Sequence, residues 1–217
     1  MKIKTLENLE DALNKHLAWR KKEMITLKVL IDKGNETHEI LIRAGLALLC
    51  AHFEGFIKDA SNDYLEYIAN QNVTYQDLQD VFSVIKLHHV IEEASKSPRY
   101  SVQVKILREY EKLSTQKFHN KKSEKTIVNT HSNPSTAILK ELLLTLGLST
   151  DIFNTKAIYI DNSLLSNRHK IVHGEKYTPD DDDFSETFRI IMELLDSYKR
   201  VVIEAAEKES YKKQGSS

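Results

Sequence analysis

Apolar residues recur along the first thirty positions at steps of mostly three and four, with charged residues between them. This spacing places their side chains on one stripe of an α-helix with 3.6 residues per turn. The stripe consists of Leu6, Leu9, Leu13, Leu17, Met24, Leu27 and Ile31. The pattern therefore predicts a long amphipathic first helix, which the polar stretch "DKGNETH" ends.

A second long helix is predicted from about Thr37 to Asn70. Its first half, from Ile40 to Ile57, is apolar almost all the way round, and a helix without a polar face belongs at the centre of a bundle. Three shorter helices follow. The first begins after Thr74, where Asp77 takes the place of the longer acid in a capping box, and runs to "KSPRY". The second covers 102–113. The third, "TAILKELLLTLGL", ends at Gly147.

A late helix is predicted from about Ile158 through Val172, with Gly174 as its C-terminal cap. The stretch "TPDDDDFSETF" opens the last helix, where aspartates suit the positive end of the helix dipole. Apolar side chains then alternate at steps of four and three: Phe184, Phe188, Ile191, Leu195, Tyr198, Val202 and Ala205. Such a seam is typical of packing inside a bundle or between subunits, and the sequence leaves both open.

The composition agrees with helices, because six glycines and three prolines in 217 residues are too few for an all-β or a disordered chain. The length fits one sizeable core. We therefore predict an all-α fold, an antiparallel helical bundle with long first, second and last helices, in a single domain over residues 1–217.

The net charge of −1 excludes a protein whose whole surface is basic, so a polyanion site must be local. Residues 96–125 carry nine lysines and arginines against three glutamates, a surplus of six positive charges. Within this region we predict a basic, flexible insertion at about 114–134. It is either a solvated surface loop or a clamp on a phosphate backbone.

Other features point to a protein of the cytoplasm. The single cysteine, Cys50, has no intrachain disulfide partner and lies in an apolar run, so we expect a buried thiol. The N-terminus interleaves charges with apolar residues, unlike a signal peptide. We also expect that no apolar segment reaches the roughly 20 residues that span a bilayer.

The stretch "SNRHKIVHGEKY" carries the densest cluster of candidate chemistry. Arg168 and His173 are five residues apart, so on a regular helix they point about 140° away from each other. His169 and His173 share a face, but a zinc site needs a third ligand, and we expect neither metal nor cofactor. A basic helix end that complements the helix dipole explains these residues as well as chemistry does.

Cleavage of RNA without metal needs a base for the 2′-OH, an acid for the leaving 5′-oxygen and a cation for the phosphorane. Histidine titrates near neutral pH and can serve in either proton-transfer role. Arginine stays charged and can bind two phosphate oxygens. An arginine and a histidine therefore suit this reaction.

The stretch "RHKIVH" resembles the Arg-x4–6-His motif of the HEPN superfamily (higher eukaryotes and prokaryotes nucleotide-binding), which lies near the end of a late helix in an all-α bundle. The earlier "IRAGLALLCAHFEGFIKDASNDYLEYI" is similar to a helix of its bacterial stand-alone, MAE-like and RiboL-PSP-like branch. Together the two stretches comprise 33 of the 217 residues.

The resemblance implies an antiparallel homodimer in which two Arg-His motifs face each other across a cleft. Arg168 would then bind the scissile phosphate, and His173 would act as general base or acid with its symmetry mate in the complementary role. The residues expected to support the site are His169, which orients the pair, Glu54, and, for RNA binding, Lys170 and Lys176. The alternative for Glu54 is a structural role as the partner of a basic group on a neighbouring helix.

The function expected from the resemblance is a metal-independent endoribonuclease, a toxin or phage-defence effector, with an antitoxin or defence protein as a further partner. The alternative is a non-catalytic HEPN module that scaffolds a partner protein or binds nucleotides, through either the seam from Phe184 to Ala205 or the basic insertion.

Overall fold

The computed structural model describes residues 2–34, 36–119 and 135–213, and within these ranges the chain forms helices and no strand. The helices are α1 (Leu6–Asp32), α2 (His38–Ala69), α3 (Asp80–Ser95), α4 (Tyr100–Ser114), α5 (Thr136–Thr145), α6 (Ala157–Tyr159), α7 (Ser166–Val172) and α8 (Asp181–Glu207). A π-helical segment (Ile160–Leu165) joins α6 to α7 without a break. The all-α prediction and the three long helices are confirmed.

Helix α1 runs antiparallel to α2. The backbone N–H of Ile3, before the start of α1, donates to the Glu66 carboxylate near the end of α2 at 3.3 Å. Further along α1, the buried guanidinium of Arg20 donates to Asp59 at 2.6 Å. The start of α1 therefore lies beside the end of α2, and the short loop between the two antiparallel helices makes them a hairpin.

Helix α8 runs parallel to α2. Near their starts, a Cβ on Gly45 would come within 2.9 Å of the Phe184 ring, so glycine permits the close approach of the two helices. Two-thirds of the way along, the hydroxyls of Ser61 and Tyr198 form a buried hydrogen bond of 2.6 Å. Helices α2 and α8 are therefore both antiparallel to α1, and all three long helices contact one another.

The apolar seam of α8 lies inside the molecule. Six of its seven members are buried and the seventh is half-buried: Phe184, Ile191, Leu195, Tyr198, Val202, Ala205 and, at the edge, Phe188. Burial of such side chains contributes about 1.5–3 kcal/mol each to folding. Of the two alternatives open from the sequence, packing inside the bundle is the one that the fold adopts.

The predicted start of the third helix after Thr74 is wrong, because α3 begins at Asp80. Asp77 does reach back to the Thr74 backbone N–H at 3.0 Å, as in a capping box. The following backbone, however, is paired with the chain after α4: the N–H of Tyr75 donates to Gln116 at 3.0 Å. A backbone group that is bonded to a distant segment is not available to a helix.

The predicted insertion at about 114–134 starts too early. Ser114 is the last residue of α4, and Phe118 is buried, with its ring against Tyr75 and Phe82. The first residues of the predicted insertion therefore belong to the core. Residues 120–134 lie outside the described residues.

The expectation that no segment is apolar enough to cross a membrane is wrong for α2. This 32-residue helix contains an 18-residue window of mean hydropathy 1.7, half of which is buried in the fold. It packs against α1, α7 and α8, which is the position of a core helix. The central place of α2 in the bundle therefore explains its apolar character, and the sequence predicted this place.

Candidate active site

The helix that carries the Arg-His pair changes its winding before it reaches that pair. Residues 160–165 form π-helix, in which hydrogen bonds span five residues, and α-helix resumes at Ser166. Ile160 and Leu164 are buried, and the Asp161 carboxylate accepts the backbone N–H of Thr136 at the start of α5 at 2.7 Å. The π-helical segment thus turns α7 relative to the residues that anchor it, a feature that apolar spacing did not reveal.

Arg168 lies on α7 in a half-buried position. Burial raises the pKa of the Cys50 thiol on α2 to about 12; the positive charge of Arg168 lowers this pKa and the negative charge of Glu54 raises it. The arginine of α7 and the carboxylate of α2 therefore lie near the same thiol. Cys50 itself is buried and protonated at neutral pH, as its sequence context predicts.

Glu54 occupies the face of α2 that is turned inward, where 9% of its surface is exposed. Its carboxylate accepts from Lys58, one turn further along α2, at 2.6 Å. A buried carboxylate is costly unless cations or donors surround it, and the Lys58 ammonium is one such partner. Because Lys58 lies on α2 itself, this ion pair does not decide whether Glu54 also serves a neighbouring helix.

His173 ends α7 and is exposed, as is His169 one turn before it. Their ring centroids are 4.1 Å apart with planes tilted by 44°, so the two imidazoles form one surface pair. Gly174 follows with φ +77°, and the N–H of Glu175 donates to Lys170 at 2.9 Å. The predicted glycine cap is confirmed, and it holds His173 at the last turn of the helix.

The loop after α7 is fastened to α2 by an arginine that sequence reasoning missed. One guanidinium nitrogen of Arg43 donates to the carbonyls of Glu175 at 2.9 Å and Tyr177 at 2.8 Å. Lys170 lies over the Tyr177 ring at 4.4 Å, which adds a cation–π contact. Arg43 stands in the run that resembles the HEPN helix, but nothing in its spacing indicates a partner 130 residues away.

The structure brings some of the predicted site residues together and separates others. His169 and His173 are adjacent at the surface, whereas Arg168 and Glu54 are each close enough to the buried Cys50 for their charges to act on its pKa. Lys176 is exposed in the loop after the helix. Within the described ranges, no three histidine, cysteine or carboxylate side chains are grouped as a metal site requires.

Apolar side chains of α1 and α2 form an exposed surface. On α2, Ile40 is 66% exposed, and Ala44 and Ala51 on the same face are also exposed. On α1, Trp19 and Leu30 are about half exposed and line a groove of 540 Å³ between α1 and α2. A helix that is apolar on all sides is normally covered on all sides, so this face suits a contact with another chain.

The family model RiboL-PSP-HEPN matches residues 15–204, a range that includes α2 with Glu54 and α7 with the Arg-His stretch. No curated protein and no solved structure matches the chain.

Proposed function

The chain belongs to the RiboL-PSP-HEPN family, and from this membership and the geometry of α7 we propose that it is a metal-independent endoribonuclease. HEPN domains commonly cleave RNA or bind nucleotides. The observation that carries the proposal is the pair of residues at the end of α7: an exposed His173 and a half-buried Arg168, beside an apolar face suited to a second copy. The protein acts as a homodimer in the cytoplasm.

The reaction is a transfer within the RNA chain. One His173 removes the proton from a ribose 2′-OH, the 2′-oxygen attacks the adjacent phosphorus, and the bond to the 5′-oxygen breaks. The symmetry-related His173 protonates that leaving oxygen, so the products end in a 2′,3′-cyclic phosphate and a 5′-OH. Arg168 stabilises the additional negative charge on the phosphoryl oxygens.

The remaining residues support this reaction. His169 contacts His173 and orients its ring. Glu54 contributes to the electrostatic potential at Arg168, because the charges of both residues act on the same buried thiol. Lys170 and Lys176 bind phosphates of the flanking nucleotides. Since Arg168 and His173 diverge on one helix, each arginine works with the histidine of the other protomer.

Incubation of the purified protein with total RNA tests the proposal, with analysis of the new ends. We expect fragments ending in 2′,3′-cyclic phosphate, unchanged by EDTA. Arg168→Ala and His173→Ala should each lower cleavage at least about 100-fold, because each removes a group needed only in the transition state. Arg200→Ala and His88→Ala, exposed residues of the same types on other helices, are the matched controls and should cleave normally.

Full activity in both site variants would refute the site assignment. Intact RNA under all conditions would favour the non-catalytic module instead. A module of that kind could not bind a partner through the seam from Phe184 to Ala205, because this seam is buried within the chain's own core.

We further propose that the nuclease serves as a toxin or phage-defence effector held in check by an antitoxin or defence partner. Expression of the wild-type chain should then stop cell growth, and His173→Ala should restore it. A wild-type chain that leaves growth unaffected while cleaving RNA in vitro would contradict this role but not the activity.

A further inference from the structure

The helix end that carries His173 is closed by a complete C-terminal cap. His173 is the C-cap residue of α7, and Gly174 follows with φ +77°. The N–H of Gly174 donates to the carbonyl of Ile171 at 3.1 Å. The N–H of Glu175 donates to the carbonyl of Lys170 at 2.9 Å. These two bonds form a Schellman motif, so the residues after His173 fix its backbone as well as those before it do.

The residues that follow the cap form an exposed loop. Residues 172–176 are exposed, and the chain then turns back, since the N–H of Tyr177 donates to the carbonyl of Glu175 at 2.9 Å. The imidazole of His173 is exposed as well, and its ring contact is with His169 one turn earlier. An exposed segment whose hydrogen bonds face solvent opens more readily than a buried one. The position of His173 therefore depends on what holds this loop.

Arg43 joins the loop to the core helix α2. One of its guanidinium nitrogens donates to both ends of the turn, to the carbonyl of Glu175 at 2.9 Å and to that of Tyr177 at 2.8 Å. Hydrogen bonds from a charged donor are stronger than those from a neutral one. Arg43 stands on a well-packed part of α2, between the buried residues Ile42 and Gly45. It therefore ties the loop, and through the loop the cap, to the core of the bundle.

We propose that Arg43 is a positioning residue of the nuclease, which holds the loop after α7 and thereby keeps the imidazole of His173 in place for proton transfer. This inference rests on the proposed function and adds to it a residue that acts through His173. The bonds of Arg43 support this role, because its partners are two backbone carbonyls of the loop. A displacement of about 1 Å at a reacting group costs on the order of 100-fold in rate, so small movements of the loop affect cleavage.

Hydrogen exchange tests the tie between Arg43 and the loop without RNA. Arg43→Met removes the donors and keeps an apolar stem. Peptides that cover 171–178 should then exchange at least about tenfold faster than in the wild type, as measured by mass spectrometry, while peptides from the buried part of α8 exchange as before. Arg200→Met, at an exposed arginine of α8, is the matched control and should change neither rate. Unchanged exchange at 171–178 would overturn the proposal.

RNA cleavage tests the effect on catalysis. Arg43→Met should lower kcat at least about tenfold and leave KM within about twofold, because RNA is still bound while the proton-transfer group is misplaced. Arg43→Lys keeps a charged donor that reaches less far, so its kcat should lie between those of Arg43→Met and the wild type. In a His173→Ala background, Arg43→Met should lower the residual rate no further, because the residue that it positions is absent.

Three kinetic outcomes would contradict the proposal. An unchanged kcat would mean that the loop does not position His173, and a raised KM beside it would assign Arg43 to RNA binding. A further tenfold loss in the His173→Ala background would give Arg43 a role independent of that histidine. A wild-type chain that leaves RNA intact would refute the proposed function instead, and the exchange at 171–178 would still decide whether Arg43 holds the loop.

Discussion

At the scale of single residues, buried polar groups on α2 tie the core helix to α1. His52 is 5% exposed, with Nε2 2.8 Å from the Glu23 carboxylate and its ring 5.2 Å from Trp19 in an edge-on contact. His52 lies next to the apolar groove between α1 and α2, so its charge state affects how stably these two helices pack.

The titration of His52 gives a prediction about stability. Burial lowers the pKa of His52 from its usual value of 6.5, although Glu23 raises it in part. The unfolded chain therefore binds a proton at a higher pH than the folded chain, and the stability present above pH 6.5 is lost as the pH falls toward the folded pKa. We expect His52→Phe to reduce the loss of unfolding free energy between about pH 7 and pH 5 in urea titrations.

Two comparisons isolate this effect. His88→Phe, at an exposed histidine of α3, should keep the wild-type slope. Asp63 acts in the opposite sense, because burial raises its pKa above 3.8 and protonation then favours the folded state as the pH falls. The difference between His52→Phe and wild type removes this common contribution. An identical slope in the two proteins would contradict the assignment to His52.

At the scale of elements, the π-helical segment decides where α7 points. A π-turn holds one residue more than an α-turn would, which rotates every later side chain by about 100° relative to an uninterrupted α-helix. Asp161, inside the segment, is fixed by its hydrogen bond to α5, and Leu164 is buried in the core. The direction of Arg168 therefore depends on a local change of winding that packing on both sides maintains.

Deletion of the exposed Asn162 tests this dependence. Loss of one residue lets the segment return to α-helix, and because the residue removed is the extra one of the π-turn, Arg168 and His173 keep their present directions. We therefore expect the deletion variant to cleave RNA at close to the wild-type rate. Insertion of an alanine after Asn162 instead turns both side chains by about 100° and should lower cleavage at least about 100-fold, while circular dichroism still reports a folded helical protein. Asn162→Ala keeps the length and should retain activity. Normal cleavage by the insertion variant would mean that the winding does not position the site.

At the scale of the whole molecule, α2 presents an exposed apolar face and also holds the loop after α7 through Arg43. The dimer that we propose covers this face and brings two Arg-His stretches together. Closed two-fold contacts use the same surface on both subunits, so the composite site that we propose takes an Arg168 and a His173 from each protomer.

Mixed dimers test the sharing of the site. If one His173 is the base and the other the acid, a dimer of one wild-type chain and one His173→Ala chain lacks one of the two groups and should be inactive. After random exchange of subunits in an equal mixture, one quarter of the dimers are wholly wild type, so about one quarter of wild-type cleavage should remain. About half of wild-type cleavage, in a mixture whose exchange is verified by mass spectrometry of tagged subunits, would mean that each chain works with its own histidine alone.

The sequence predicted those features that depend on neighbouring residues. The three long helices follow from apolar spacing, and Gly147 and Gly174, both with positive φ, end the helices that they were expected to end. The pairing of Tyr75 with Gln116, which delays α3, was not predictable from spacing. It depends on a backbone partner about forty residues away, and local patterns carry no information about such partners.

For the candidate site the same division holds. The residue types and spacing of "RHKIVH" are sequence properties, and they identify the stretch that suits RNA chemistry. Only the tertiary structure decided that Arg168 lies near the charge of Glu54, that Arg43 holds the loop after His173, and that a π-helical segment sets the direction of both. Periodicity fixes which face of a helix is apolar, whereas the packing of all the helices together fixes which face is covered and where a side chain points.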